Sequence, residues 1–271
     1  MGPENISEVA LAFDAAAADY DSDFGANPIG RWMRERVWET CLEVFKAGDI
    51  VLDLGAGTGI DALFLARHDV SVHAVDVSAK MIERLSGKLA GDDDTLRVTY
   101  GVLGMESLGQ LSESRYDGAL SNFGALNCLQ DLSTVAQSLS SVLKPGASFV
   151  ACTMGKFCLI ETLVFLRRGK MRQAFRRTGL GARAAEVADQ TIRVYYHSPG
   201  KLVSFFSPFF DLEGVYALGV CLPPSWSPGL VARKKAIFAT LKTIDRRVGA
   251  LPLFRTMGDH FVVQLRRKRR L

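Results

Sequence analysis

Short apolar runs alternate with amphipathic stretches along the first 155 residues. Runs at Ile50–Leu54, Val70–Val75, Leu96–Tyr100, Gly118–Asn122 and Ser148–Thr153 predict five strands. Amphipathic segments near 60–68, 78–90 and 132–143 predict the helices between them. Strand, helix, strand at this spacing means parallel strands joined by right-handed crossovers, hence an α/β, doubly wound sheet with helices on both faces. Lys144, Pro145 and Gly146 predict a clean break before the fifth strand, because proline ends a helix and glycine turns the chain.

The rhythm changes after that. Residues 155–195 predict one long amphipathic helix (158–177), a break at Gly179 and Gly181, and a second helical stretch: a helical cap between strands 5 and 6. Ser198 and Pro199 start another helix. A strand near 211–219, a loop with Pro223, Pro224 and Pro228, a helix near 230–247 and a strand near 259–265 complete a seven-stranded sheet. Segments 5–20 and 28–46 predict two helices able to fold over the sheet's carboxyl edge. The expectation is one domain over 1–271: lid helices in 1–47, a core in 48–154, the cap in 155–197 and the rest of the core in 198–271.

Composition narrows the picture. With 48% hydrophobic residues in 271, the chain is too apolar for disorder, and no run nears 18 uncharged apolar residues, so no membrane-spanning helix is expected. The first residues lack a basic leader, and Ile6 stands where myristoylation needs Ser or Thr. Five cysteines without a C-x-x-C pair and four scattered histidines point to no metal site and a reducing, cytoplasmic setting. The net charge of +4 is uneven: residues 156–193 hold nine Lys/Arg against three Asp/Glu, and 266–270 are all basic. Such clusters suit an acidic carrier protein, an anionic membrane surface or nucleic acid, against the plainer reading of a solvated face and a frayed tail.

The informative motif runs from Val51 to Gly59: an apolar strand passes into Gly55, Gly57 and Gly59 and then into a helix. Glycines there let a ligand approach the backbone where a Cβ would clash. A dinucleotide fingerprint would need a small residue at Ile60, which weighs against nicotinamide or flavin, and no G-x-x-x-x-G-K-[ST] phosphate loop occurs. Asp76 ends the second strand beside the glycine turn, where a carboxylate can accept both ribose hydroxyls.

This spacing of Asp53, Gly55, Gly57 and Gly59 resembles the D/E-x-G-x-G-x-G signature of the class I S-adenosylmethionine-dependent methyltransferases, and the likeness covers about residues 10–155. It implies a Rossmann-like sheet and S-adenosylmethionine as cofactor, with S-adenosylhomocysteine as product. By it, Gly55, Ala56, Gly57 and Gly59 border the methionine portion, Asp53 lies beneath the loop, and Asp76 with Val77 meets the ribose. The stretch Phe13 to Asp21 is similar to the lid of small-molecule members, including the ubiquinone- and biotin-pathway types, and Tyr20 would close over the cofactor. Where the family often has an acid for the adenine amino group, this chain has Gly104, leaving the backbone of Gly104 and Met105 for that task, with Glu106 starting the next helix. Asn122 and Phe123 would line the sulfonium. Ser121, Asn122, Phe123 and Gly124 depart from the Pro-Pro-aromatic pattern of DNA amino-methyltransferases, and Pro223 to Trp226 reads as a loop.

A methyl acceptor that is a hydroxyl or an activated carbon needs a base, and histidine suits neutral pH. His260, beside Asp259, and His197, where cap meets core, are the candidates; His68 and His73 read as structural. Asn127, Tyr195 and Tyr196 are candidate substrate contacts, and the aromatic cap suits an apolar molecule. The reading is methyl transfer to a small hydrophobic or aromatic biosynthetic metabolite, O-methylation first and N- or C-methylation next. The alternatives are a carrier-bound acyl substrate, a cofactor-binding partner protein without catalysis, and, least favoured, RNA modification.

Overall fold

The computed structural model describes residues 3–22, 27–91, 96–113, 115–179, 181–224 and 235–269. Two helices come first, α1 (Pro3–Ala16) and α2 (Pro28–Val44). Pro28 opens α2, where its missing N–H costs nothing, and Asn27 caps it by accepting from Ile29 N at 2.9 Å. Then follow β1 (Ile50–Leu54), α3 (Ile60–Ala66), β2 (Ser71–Asp76), α4 (Ala79–Ala90), β3 (Val98–Val102), β4 (Tyr116–Ser121), α5 (Ser133–Val142) and β5 (Leu143–Met154). The third strand begins two residues later than expected, at Val98.

The seven-stranded sheet has the order β3-β2-β1-β4-β5-β9-β8, where β8 is Phe210–Leu218 and β9 is His260–Arg267. Strands β1 to β5 are parallel, and β9 runs antiparallel to both β5 and β8. Period-two alternation splits the core into two layers. Leu52, Leu54, Phe149, Ala151, Phe261 and Val263 pack on one face with α5 and with α8 (Pro199–Phe206). Val51, Leu120, Val150, Cys152 and Val262 pack on the other with α2 and α3. Ser198 starts α8 as expected, its Oγ accepting from Lys201 N at 3.3 Å.

Three local expectations change. The helix ends at Val142 and the fifth strand starts earlier than expected, at Leu143, which pairs with Tyr116; Gly146 turns the chain at φ 84° as expected, the register slips, and pairing resumes at Ser148 opposite Gly118. Proline is tolerated there because the ladder is already irregular.

The cap is the second change. Its first half is helical but broken, into α6 (Leu159–Arg167) and α7 (Met171–Ala174). Gly169, at φ 69°, ends α6 with Gly169 N donating to Leu166 O and Lys170 N to Phe165 O, a Schellman end that only a left-handed residue completes. Its second half is no helix: β6 (Arg183–Val187) and β7 (Gln190–Val194) form a hairpin. Ala188 and Asp189 turn it with both φ positive, 46° and 61°, the geometry that matches strand twist. Gly155 bridges His197, so the insertion leaves and re-enters the core at one neck.

The third change is the basic tail, which is docked through Lys268. Arg266 pairs with Glu213, Arg267 donates to Leu143 O, and Lys268 Nζ donates to Ser207 O at 2.7 Å. Of the last predicted helix, 235–248 is formed as α9 (Lys235–Val248); its residues 230–234, Trp226, Pro228 and Arg270 lie outside the described residues. Among the described residues no helix is long and apolar enough to cross a membrane.

Candidate active site

The carboxyl ends of β1 and β4, where strand order reverses, open onto the site. Leaving β1, Gly55, Gly57 and Gly59 take left-handed φ values of 70°, 55° and 80°. Their tasks differ. A Cβ on Gly55 would collide with Ala125 Cβ, and one on Gly59 with Leu85 of α4, so both glycines permit close packing. A Cβ on Gly57 would meet only Tyr20 Cε1, at 3.9 Å, and otherwise enters the cavity. Ala56 and Gly59, expected at the ligand, are not among the residues that line the cavity.

Asp76 holds that loop. Its Oδ2 accepts from Gly57 N at 2.8 Å and its Oδ1 from Ser78 N at 2.9 Å. Burial raises its carboxyl above the usual range, against the pull of these backbone donors. Ser78 caps α4 and donates to Asp14 at 2.6 Å, which docks α1 over the site. Asp53 lies beneath the loop, fully buried, and its Oδ2 has no hydrogen-bond partner among the described residues. Burial and the neighbouring Asp61 push its carboxyl well up, and it does not line the cavity.

The cavity measures about 430 Å³ and has two ends. Gly55, Gly57, Asp76, Val77, Tyr20 and Asn122 line the polar one. Burial pushes the Tyr20 phenol up to about 12, which keeps it a neutral donor. Gly104, Met105 and Glu106 line it too, and Glu106 folds its carboxylate back over the bare Gly104 Cα. Glu106 does open a short 3₁₀ helix, Met105–Gln110, and in addition supplies the acid at this wall. Val9 and Phe13 of α1, Met154 of β5 and the hairpin's Val187, Ile192 and Val194 line the apolar end.

Arg34 of α2 is the cation of this site and escaped sequence reasoning. Its Nη1 lies 2.5 Å from Asp61 Oδ2, and its guanidinium sits 4.6 Å from the Phe123 ring centre. Asp61 also accepts from Trp38 Nε1 at 2.7 Å and Asn122 Nδ2 at 3.1 Å, so three donors from two elements besides its own lock the carboxylate. Phe123 and Gly124 are both left-handed, at φ 49° and 87°, and a non-glycine residue held there marks strain of the kind kept at functional sites.

His260 stands on the wall, its ring edge-on to Phe123 with centroids 5.2 Å apart. Its buried Nδ1 is 3.6 Å from Asp259 Oδ2, within ion-pair reach of the carboxylate but with no hydrogen-bond partner among the described residues. Nε2 is thus the nitrogen that meets the cavity. Arg177 of the cap donates to Asp259 Oδ1 at 2.6 Å and Asp259 O at 3.0 Å, and its Nη2 reaches Glu161 Oε2 at 2.7 Å. Burial alone would raise the Asp259 and Glu161 carboxyls, but the arginine charges outweigh it and hold both below the usual range.

Four expected residues are elsewhere. His197 is buried off the cavity with Nε2 2.9 Å from Leu129 O, and burial lowers its pKa. Asn127 spends its amide on structure: Nδ2 donates to Tyr195 O and Met154 O, and Oδ1 accepts from Met154 N and Thr153. Tyr195 and Tyr196 line no part of the cavity, and Arg177 sits over the Tyr196 ring at 5.3 Å. His68 and His73 bond Phe64 O and Thr99 Oγ1, away from the site. The hairpin wall had a legible signal, the alternation of Ala185 and Val187 with Ile192 and Val194. Arg34 and Asp61 had none, since each looks like an ordinary helix charge.

Residues 51–146 match the family model of the methyltransferase domain. A demethylmenaquinone methyltransferase of Clavibacter sepedonicus is 32% identical over 145 residues, 54% of this chain and 57% of that relative, so the chain spans under two thirds of the length of the relative it matches. An S-adenosylmethionine-dependent methyltransferase structure from Listeria monocytogenes superposes with a TM-score of 0.61 at 15% identity, over 88% of this chain and 97% of that one. The Haemonchus contortus phosphoethanolamine N-methyltransferase 2, solved in complex with S-adenosyl-L-methionine, superposes with a TM-score of 0.59 at 19% identity, over 94% of this chain and 57% of that one. These likenesses establish the fold.

Proposed function

We propose that this chain, a methyltransferase domain in the class I S-adenosylmethionine-dependent methyltransferase fold, methylates a small, apolar, quinone-like aromatic acceptor at an atom that gives up a proton, a hydroxyl first. The observation that carries the reading is that one cavity is lined by the glycine loop with Asp76, by His260 edge-on to Phe123, and by apolar side chains of α1 and the hairpin.

The residues fit the cofactor. Gly57 leaves a recess that any Cβ would fill, and Asp76 keeps lone pairs beside it for ribose hydroxyls. Arg34 is preorganised for the methionine carboxylate, and Glu106 supplies the acceptor for the adenine amino group that Gly104 lacks. When bound there, S-adenosylmethionine supplies an electrophilic methyl carbon on a sulfonium.

The chain's own work is positioning and proton removal. Phe123, Asn122 and the hairpin hold the acceptor against the cradle, and α1 with the cap keeps water out. His260 Nε2 takes the acceptor proton as its electron pair commits to the methyl carbon. Asp259, kept ionised by Arg177, sits behind the ring to stabilise the imidazolium. The demethylmenaquinone acceptor named for the Clavibacter relative supports an aromatic ring of this class.

The test is thermal unfolding with S-adenosylmethionine and S-adenosylhomocysteine, followed by mass detection of methylated product from demethylated quinols and apolar phenols. Ligand at 100 times its dissociation constant adds about 2.7 kcal/mol. The absence of both a shift and a product overturns the reading.

A further inference from the structure

The outer face of the cap combines exposed apolar side chains with clustered positive charge. Leu163, Leu166, Met171 and Phe175 are 51%, 36%, 59% and 45% exposed. They follow the spacing of α6 and α7: Glu161, Thr162 and Phe165 turn inward, while Leu163, Leu166 and Arg167 turn out. Thr162 Oγ1 donates to Ala174 O at 3.2 Å, tying the two helices into one surface. Arg167, Arg168, Lys170 and Arg172 are exposed among the apolar groups, and residues 162–185 hold seven Lys/Arg and no Asp/Glu. Arg167, Lys170 and Arg172 make no ion pair among the described residues; Glu161, the one acid in the sequence from 156 to 185, is buried against Arg176 and Arg177.

We propose that this face docks on an anionic lipid bilayer. Clustered Lys and Arg with protruding large apolar side chains are what a headgroup layer of negative charge binds, the charges in the phosphates and the apolar tips below them. Charge alone would also suit an acidic carrier domain, but such a partner needs no protruding Met171 or Phe175. The same insertion turns its hairpin side chains Val187, Ile192 and Val194 into the cavity, so one element joins the bilayer face to the acceptor wall. Arg183 Nε donates to Arg176 O at 3.0 Å, which links the two halves. This last connection rests on the functional reading, since an apolar acceptor would be found dissolved in lipid; the docking itself does not.

The experiment is co-sedimentation of the full chain with vesicles of phosphatidylcholine alone and of phosphatidylcholine mixed with phosphatidylglycerol. Binding to the mixed vesicles is expected, weakening as salt rises. The triple variant R167Q/K170Q/R172Q is expected to lower the partition coefficient on the order of a hundredfold, from about fivefold for each charge. M171S/F175S is expected to lower it about tenfold. Both variants sit on the exposed face, and unchanged melting temperatures and ligand shifts with S-adenosylhomocysteine verify the fold. No binding to mixed vesicles overturns the proposal. So does binding that M171S/F175S leaves intact, because that is the behaviour of a charge-only site for an acidic protein. The ligand shift is read separately, so a failed docking leaves the cofactor reading standing, and a failed cofactor reading leaves the docking standing.

Discussion

The three loop glycines make the sharpest test, because the structure assigns neighbours in the same motif opposite consequences. In Gly57→Ala the new Cβ enters the cavity, touching only Tyr20, while the backbone must hold alanine at φ 55°. That conformation costs about 1–2 kcal/mol, or about 2–8 °C in a domain of this size. In Gly59→Ala the same strain at φ 80° is joined by a Cβ driven into Leu85 of α4. Overpacking adds about 1–3 kcal/mol, so its apo stability should fall by about 2–5 kcal/mol in all. Ligand binding should reverse the ranking. With S-adenosylhomocysteine at 100 times the wild-type dissociation constant, the native protein gains about 2.7 kcal/mol. Gly59→Ala should keep that gain, and Gly57→Ala should lose nearly all of it. Thermal unfolding of the three proteins with and without ligand reads both quantities. A full ligand gain in Gly57→Ala, or its loss in Gly59→Ala, would refute the assignment of cradle and packing roles.

Asp76→Asn should weaken S-adenosylhomocysteine by about 10- to 100-fold in calorimetry while leaving the fold, since the amide keeps one acceptor for the backbone and loses the charge. His260→Ala should lower kcat by about 10²- to 10⁴-fold at unchanged cofactor affinity; an unchanged kcat would point to an acceptor that needs no base. Asn127→Ala should lower melting temperature without altering ligand affinity, because its amide joins β5 to the cap and never meets the cavity. In the wild type, Asp259 and Glu161 have depressed folded pKa values, so their stability is present above about pH 4 and is lost as pH falls further. Arg177→Met should cost about 3–5 kcal/mol and reverse that trend for Asp259. Burial would then raise the Asp259 carboxyl, so its share of the stability would fall as pH rises, while Glu161 keeps its pair with Arg176; urea titrations across pH 3–7 would follow both.

What was readable from sequence rested on neighbours along the chain. The strand–glycine–helix passage at Val51 to Ile60 and the acid at Asp76 are local patterns, and so are the sheet's strands, their alternation and the Ser198 cap. Backbone φ at a glycine and burial of alternate residues follow from a few adjacent positions, so they survive any detail of packing. The cap was half legible. Its basic amphipathic character was visible, but Gly169 ended the helix through bonds to Phe165 and Leu166, and the Ala188–Asp189 turn lacked the usual glycine. Asn127 and His197 looked like chemistry and proved to be fastenings, because their partners lie 26 to 68 residues away along the chain.

The charges of the site are where sequence reasoning stopped. Arg34 meets Asp61 across 27 residues, and Arg177 meets Asp259 across 82. A charged residue on a helix is usually solvated, and nothing local separates that case from a buried, paired one. Thus the chain's sequence alone determined the sheet and the glycine cradle. Only the tertiary structure decided which charges are desolvated, which histidine faces the cavity and which side chains wall it, because those depend on which distant segments the packing brings within hydrogen-bond reach.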